Sequence, residues 1–174
     1  MIRLATFLLI VFTFLSNQNY AQFLLPGEGI MDVKLGADLD EIEWELGFRG
    51  KRIEFAQADE KTKMIAENAD IDFDFMISYN HIMWLPISEL LFKDGKVCMV
   101  QLSSYPEYNQ MLSADIGTVD GLNFWDTEQE IKELYGNYKT MQSGDKTIII
   151  IGHKGLGAEM SKNEVRTMFI FEPK

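Results

Sequence analysis

The sequence predicts an α+β fold: two tandem helix-plus-four-stranded antiparallel meander repeats behind an N-terminal signal peptide. Three observations predict it. Two short helices with the same end signals recur about 89 residues apart. Each is followed by a run of short apolar segments punctuated by turn residues, and the opening of the chain reads as a leader. The boundaries are 1–21 for the signal peptide, 22–110 for the first repeat and 111–174 for the second.

In the leader, Arg3 supplies the positive end, Leu4 to Leu15 is a twelve-residue apolar run, and Ser16 to Ala21 is polar and ends in a small residue. Twelve residues fall short of the roughly 20 needed to cross a bilayer. Cleavage after Ala21 would leave no stable membrane insertion and place the protein in the periplasm or outside the cell. The only cysteine, Cys98, is far from this region, so no lipid-bearing cysteine follows the apolar run. Residues 1–21 hold Arg3 and no acid, so their removal takes the net charge from −11 to −12. Such a surface repels phosphate backbones and anionic lipid heads, which argues against nucleic acid and membrane surfaces as partners. It suits plain solubility outside the cytoplasm, the reading preferred here, or a basic protein partner. One cysteine in an exported chain excludes an intrachain disulfide, and Val97-Cys98-Met99-Val100 reads as a strand with a buried structural thiol.

Gln22 to Val33 is a lead-in broken by Pro26, Gly27 and Gly29, and Lys34 to Ala37 delivers the chain to the first helix. Asp38 to Gly47 carries both helix ends: Asp38 as cap, Glu41 completing a capping box, and Gly47 as the stop. Ile42 and Leu46 share its apolar face, and Trp44 falls off that stripe. Arg52 to Phe55 alternates as a strand, while Asp59 to Asn68, polar and charged, reads as an exposed loop or a frayed helical turn. Asp70 to Tyr79 gives the cleanest strand pattern, with Ile71, Phe73, Phe75, Ile77 and Tyr79 on one face and Asp70, Asp72, Asp74 and Ser78 on the other. Ile87 to Phe92 and Lys96 to Leu102 flank Asp94-Gly95, a hairpin signal. Ser103 to Gly117 is a linker.

In the second unit, Thr127 and Glu130 form a capping box, Ile131 and Tyr135 repeat the apolar pair, and Gly136 stops the helix. Tyr138 to Met141, Ile148 to Ile151, Leu156 to Met160 and Val165 to Phe171 follow as strands. The four isoleucines predict a strand buried on both faces. Each helix is expected to lie over a sheet made largely by its own unit, the two sheets joining edge to edge or around a shared core.

The Gly29-Ile30 lead-in with Asp38, Glu41, Ile42, Leu46 and Gly47 matches Gly121-Leu122 with Thr127, Glu130, Ile131, Tyr135 and Gly136. In outline this resembles the repeat of bacterial β-lactamase-inhibitor-protein-like modules. It is similar also to the helix-and-sheet module of outer-membrane-assembly lipoproteins. Members of the inhibitor group carry disulfides and members of the lipoprotein group a lipidated cysteine. This chain has neither, so the resemblance implies the fold and not those activities.

The candidate binding residues are aromatic and acidic. Tyr105 and Tyr108 at the linker tip, with Trp84 before Pro86, are candidate anchors for a protein partner, and Asp70, Asp72 and Asp74 form a face that would steer a basic one. A seam between helix and sheet is the competing place for Trp84 and Trp125. The three aspartates match the start of a calcium loop, which requires Gly and Glu where this chain has Phe75 and His81, so a solvated acidic face is the reading kept. His81 and His153 lack metal-ligand spacing, and Gly152 to Gly157 reads as turn glycines between strands. No triad order or nucleophile elbow is present, and no cofactor or metal is implied. The sequence therefore points to an exported, non-enzymatic protein-binding module: an inhibitor, an immunity-like protein or an assembly factor. The alternatives are a small-ligand or glycan-binding module, and a hydrolase whose carboxylates converge only in the fold.

Overall fold

A computed structural model describes residues 22–30, 33–46, 50–79, 87–104 and 116–174. The chain is α+β. It opens with β1 (Gln22–Leu25), β2 (Gly29–Ile30) and β3 (Val33–Lys34), then α1 (Leu39–Leu46) and β4 (Lys51–Glu54). Next come α2 (Glu60–Asn68), β5 (Phe75–Ser78), β6 (Ile87–Lys93) and β7 (Lys96–Ser103). β8 (Ile116–Thr118) and α3 (Glu128–Tyr135) lead to β9 (Lys139–Ser143), β10 (Lys146–Ile151), β11 (Leu156–Ser161) and β12 (Glu164–Phe171).

Eight strands form one sheet in the order β4-β5-β6-β7-β12-β11-β10-β9, with every neighbouring pair antiparallel. The two groups of four meet at β7 and β12, where Gln101 lies opposite Phe169. Asp94 (φ 51°) and Gly95 (φ 78°) make the expected two-residue turn between β6 and β7, both central residues having the positive φ that a primed turn demands. Lys162 (φ 53°) and Asn163 (φ 64°) do the same between β11 and β12. The lead-in is not structureless. Its strands build a second sheet, β3-β2-β1-β8, in which β1 runs parallel to β8.

The large sheet is covered on both faces. On the first, Ile42 of α1, Ile131 and Tyr135 of α3 and Leu24, Ile30 and Val33 of the small sheet join Ile77, Leu90, Val100, Ile149 and Ile170 in one buried cluster. The helices thus lie over a common sheet. On the second face, Ile65 and Ala66 of α2 pack with Met76, Leu91, Met99, Ile148, Ile150, Phe169 and Phe171. Ile148 and Ile150 face one core while Ile149 and Ile151 face the other, as the unbroken isoleucine run predicts.

Two expectations fail here. Residues 59–68 are helical, but as a full capped helix rather than an exposed loop or a frayed turn: Asp59 caps α2 by accepting from the Thr62 backbone N–H at 2.9 Å, and Thr62, Ile65 and Ala66 are buried. Burying Ile65 alone stabilises this contact by about 1.5–3 kcal/mol. Nor does the strand of 70–79 start at Asp70. Asp70 is left-handed (φ 57°) at the end of α2, β5 begins only at Phe75, and Phe73 packs into the α2 core while Phe75 packs into the opposite one.

Candidate functional site

The acidic triplet is not the face of a strand. The Asp70 carboxylate takes the Lys174 Nζ at 3.1 Å. Asp74 accepts from the Asp94 backbone N–H at 2.7 Å and from Lys93 Nζ at 2.9 Å, which together hold its carboxyl below the usual range and fix the β6–β7 turn. Asp72 lines a cleft of ≈ 730 Å³ with Lys34, Lys93, Cys98 and Lys174. The regular strand that would align the three begins after them. Trp84, Tyr105, Tyr108 and His81 lie outside the described residues. Cys98 is half-buried and donates to Leu91 O at 3.3 Å, and burial pushes its thiol up to about 12. His153 is exposed in a short 3₁₀ turn. Gly155 (φ 63°) closes that turn, and a Cβ there would stand 2.1 Å from Phe171 O, so glycine is required. Among the described residues, no group of three or more His, Cys, Asp and Glu side chains is placed to hold a metal.

The side of the molecule carrying α1 and α3 presents a different surface. Ile42 points into the core, so Trp44, two residues on, points away from it, and it is 84% exposed. The α1 sequence Leu-Asp-Glu-Ile-Glu-Trp-Glu-Leu holds four acids and no base. In α3, Ile131 and Tyr135 are buried while Leu134 is exposed between Glu133 and the helix end. The Tyr135 hydroxyl shares a 3.0 Å hydrogen bond with Thr118 Oγ1, which anchors α3 to the small sheet. Exposed Val119 follows that sheet, its N–H donating to Leu24 O at 3.2 Å beside exposed Leu25. The capping box is as expected: Glu130 Oε2 accepts from the Thr127 N–H at 2.7 Å. Trp125 is half-buried in the seam below α3, with the Arg166 guanidinium 3.7 Å above its ring.

A third region was hidden in the sequence. On the second face of the large sheet, beyond the first turn of α2, the apolar core gives way to a polar row: Glu89 (β6), Gln101 and Ser103 (β7), Thr167 (β12), Glu159 (β11) and Lys146 (β10). Gln101 and Thr167 sit two residues from Met99 and Phe169, so the strand period puts them on the α2 side. Glu159, only 2% exposed, accepts from Lys61 Nζ of α2 at 2.8 Å and Lys146 Nζ at 2.5 Å. Burial alone would raise its pKa, but the two lysine bonds and charges together outweigh it, and the carboxyl titrates below its ordinary value. Glu89 goes the other way: burial raises it and Asp59 and Glu159 add repulsion, against smaller pulls from Lys61 and from a Gln101 side-chain hydrogen bond. The register shifts beside Glu89 and again beside Glu159, so irregularities flank the row on both sides. Split carboxylate pKa values are a signature of acid–base pairs. Here each oxygen of Glu159 accepts from one ammonium group, and the residue is almost wholly covered. Compared with known protein families, curated proteins and solved structures, the chain finds no match.

Proposed function

We propose that this is an exported, non-enzymatic binding protein, acting in the periplasm or outside the cell, that docks a basic protein partner through the α1 and α3 surface. The single observation that carries this is Trp44, a large aromatic 84% exposed on a helix of four acids and no base. An exposed tryptophan adds nothing to the core, and tryptophan ringed by charge is what interface anchors look like. The acids supply steering for lysine or arginine, and the indole ring accepts a cation on its face. The apolar run of residues 4–15 supports export.

The reading includes a tandem origin for the two halves. Their helix caps are related by a shift of 89, and their terminal two-residue turns, 94–95 and 162–163, by 68. The first half spends residues 55–74, including α2, where the second has only Gly144-Asp145, which accounts for most of the difference. At the junction of β7 and β12, Gln101 lies opposite Phe169, its own counterpart at a shift of 68, while Met99 faces Phe171 and Ser103 faces Thr167. A two-fold relation between halves requires this register.

Cross-linking in envelope or secreted extract, with the intact protein and Trp44→Ser, tests the proposal. A partner captured by the first and lost by the second, with unchanged circular dichroism, supports it. Equal capture by both removes the surface from consideration. A second reading, a small-ligand or glycan module, draws on a cleft of ≈ 830 Å³ lined by Asn68, Asp70, Tyr138, His153 and Lys174. Shifts of the Tyr138 ring resonances on titrating a glycan panel would favour it over protein docking.

A further inference from the structure

Two atoms of the polar row have nothing to bond. Glu89 Oε2 and Gln101 Oε1 are both shut off from solvent, and neither has a hydrogen-bond partner among the described residues. The residues stand directly opposite each other on β6 and β7, where facing Cβ atoms lie roughly 4.5–5.5 Å apart. While Glu89 is ionised, both atoms are acceptors and neither can help the other. Such groups are rarely left bare in a folded protein.

One proton repairs both. It turns Oε2 into a donor and gives Gln101 Oε1 its missing bond. The Gln101 amide nitrogen is directed to Ser88 Oγ at 3.4 Å and also gives a charged Glu89 a small pull through a side-chain hydrogen bond, so the carboxamide oxygen is the end left without a bond. We propose that Glu89 is held as the neutral carboxylic acid, its O–H donating to the Gln101 carboxamide oxygen, and that this proton is a latch coupling the seating of α2 to pH. A bound cation is the weaker occupant, because the Lys61 ammonium is already next to the row and bonded to Glu159.

The surrounding charges set the direction. Asp59, at the cap of α2, and Glu159, on β11, both oppose a charged Glu89; Lys61 favours it; Lys146 is engaged by Glu159. Ionising Glu89 therefore puts a third carboxylate beside Asp59 and Glu159, with Lys61 shared among them. The Lys61–Glu159 bond is what ties the first turn of α2 to the sheet, and it is this bond that a charged Glu89 competes for. With the folded pKa raised above the ordinary glutamate value of about 4.5, the contribution is fully present below that pH and is lost as pH rises through the folded value.

The test compares the intact protein with Glu89→Gln, which is neutral at every pH and carries its own N–H for Gln101. The side-chain carboxyl carbon of Glu89, followed by NMR in the unmodified protein, is expected to titrate above about 4.5. Amide exchange over residues 60–68 is expected to quicken as it ionises, and not in Glu89→Gln. Urea midpoints of the two proteins should coincide at low pH and separate in favour of Glu89→Gln as pH rises. Titration of Glu89 at or below its ordinary value overturns the proposal, as does exchange over 60–68 that follows pH equally in both proteins. Stabilisation of the unmodified protein alone by ammonium ions, at fixed ionic strength, overturns it in favour of a bound cation. Because the NMR titration needs no variant, the proposal stays open to refutation even if Glu89→Gln fails to fold.

Discussion

The two faces of the large sheet are built from the same strands and do different work. The first, under α1, α3 and the small sheet, is apolar from β5 to β10 and joins both halves of the chain into one core. The second is divided. Half is apolar under the single helix α2, and half is a polar row with a doubly paired glutamate and a second, poorly satisfied one. Apolar burial is non-directional and tolerant, whereas a buried polar row holds only while each member keeps its partner. The first face thus carries the larger apolar core. The second is where stability becomes conditional on pH.

The largest expected effect breaks the first face. Ile170→Ala, at a fully buried position, should cost about 2–5 kcal/mol in urea unfolding, independent of pH. On the second face, Glu159→Gln should cost roughly 1–3 kcal/mol near neutrality, because two lysines lose a charged acceptor. The cost should also be conditional. With its folded pKa lowered, Glu159 contributes stability above its ordinary value and loses it as pH falls through the folded one, so the two proteins should converge in acid. Asp59→Ala, removing the α2 cap, should cost about 1 kcal/mol and raise amide exchange in α2 while leaving α1 and α3 unchanged. Trp44→Ser should change stability by no more than about 0.5 kcal/mol, since the side chain touches solvent rather than core. A large loss there would mean that the surface belongs to the fold and would sink the docking proposal.

Where local chemistry decides the structure, the sequence was legible. Asp94-Gly95, the Thr127–Glu130 capping box and the isoleucine run all act through backbone geometry or simple periodicity, and each is found where expected. Where tertiary contact decides, it was not. The α2 sequence Glu-Lys-Thr-Lys-Met-Ile-Ala-Glu-Asn looks polar because its buried stripe is only Thr62, Ile65 and Ala66, too narrow for a periodic signal. The alternation through Asp70 to Tyr79 is real, but the left-handed Asp70 and the late start of β5 send Phe73 and Phe75 to opposite cores. Gln101, Thr167 and Glu159 stand at positions that alternate like solvent-facing ones, and only the folded chain shows them to be covered. Of the candidate site residues, Asp70 and Asp74 carry ion pairs to Lys174 and Lys93, and Asp72 lines a cleft. Trp44, set apart by its position off the apolar stripe, emerged as the exposed aromatic.

The parallel pairing of Gln22–Leu25 with Ile116–Thr118 has a consequence in time. Gln22–Leu25 must wait for a partner about ninety residues downstream. The β6–β7 hairpin can close as soon as it emerges, and so can β1 with β2 and β3, but the β1–β8 pairing cannot. Its seam is a late clasp, shut only after most of the chain has arrived, and whatever holds the opening residues until then governs when the molecule can finish folding.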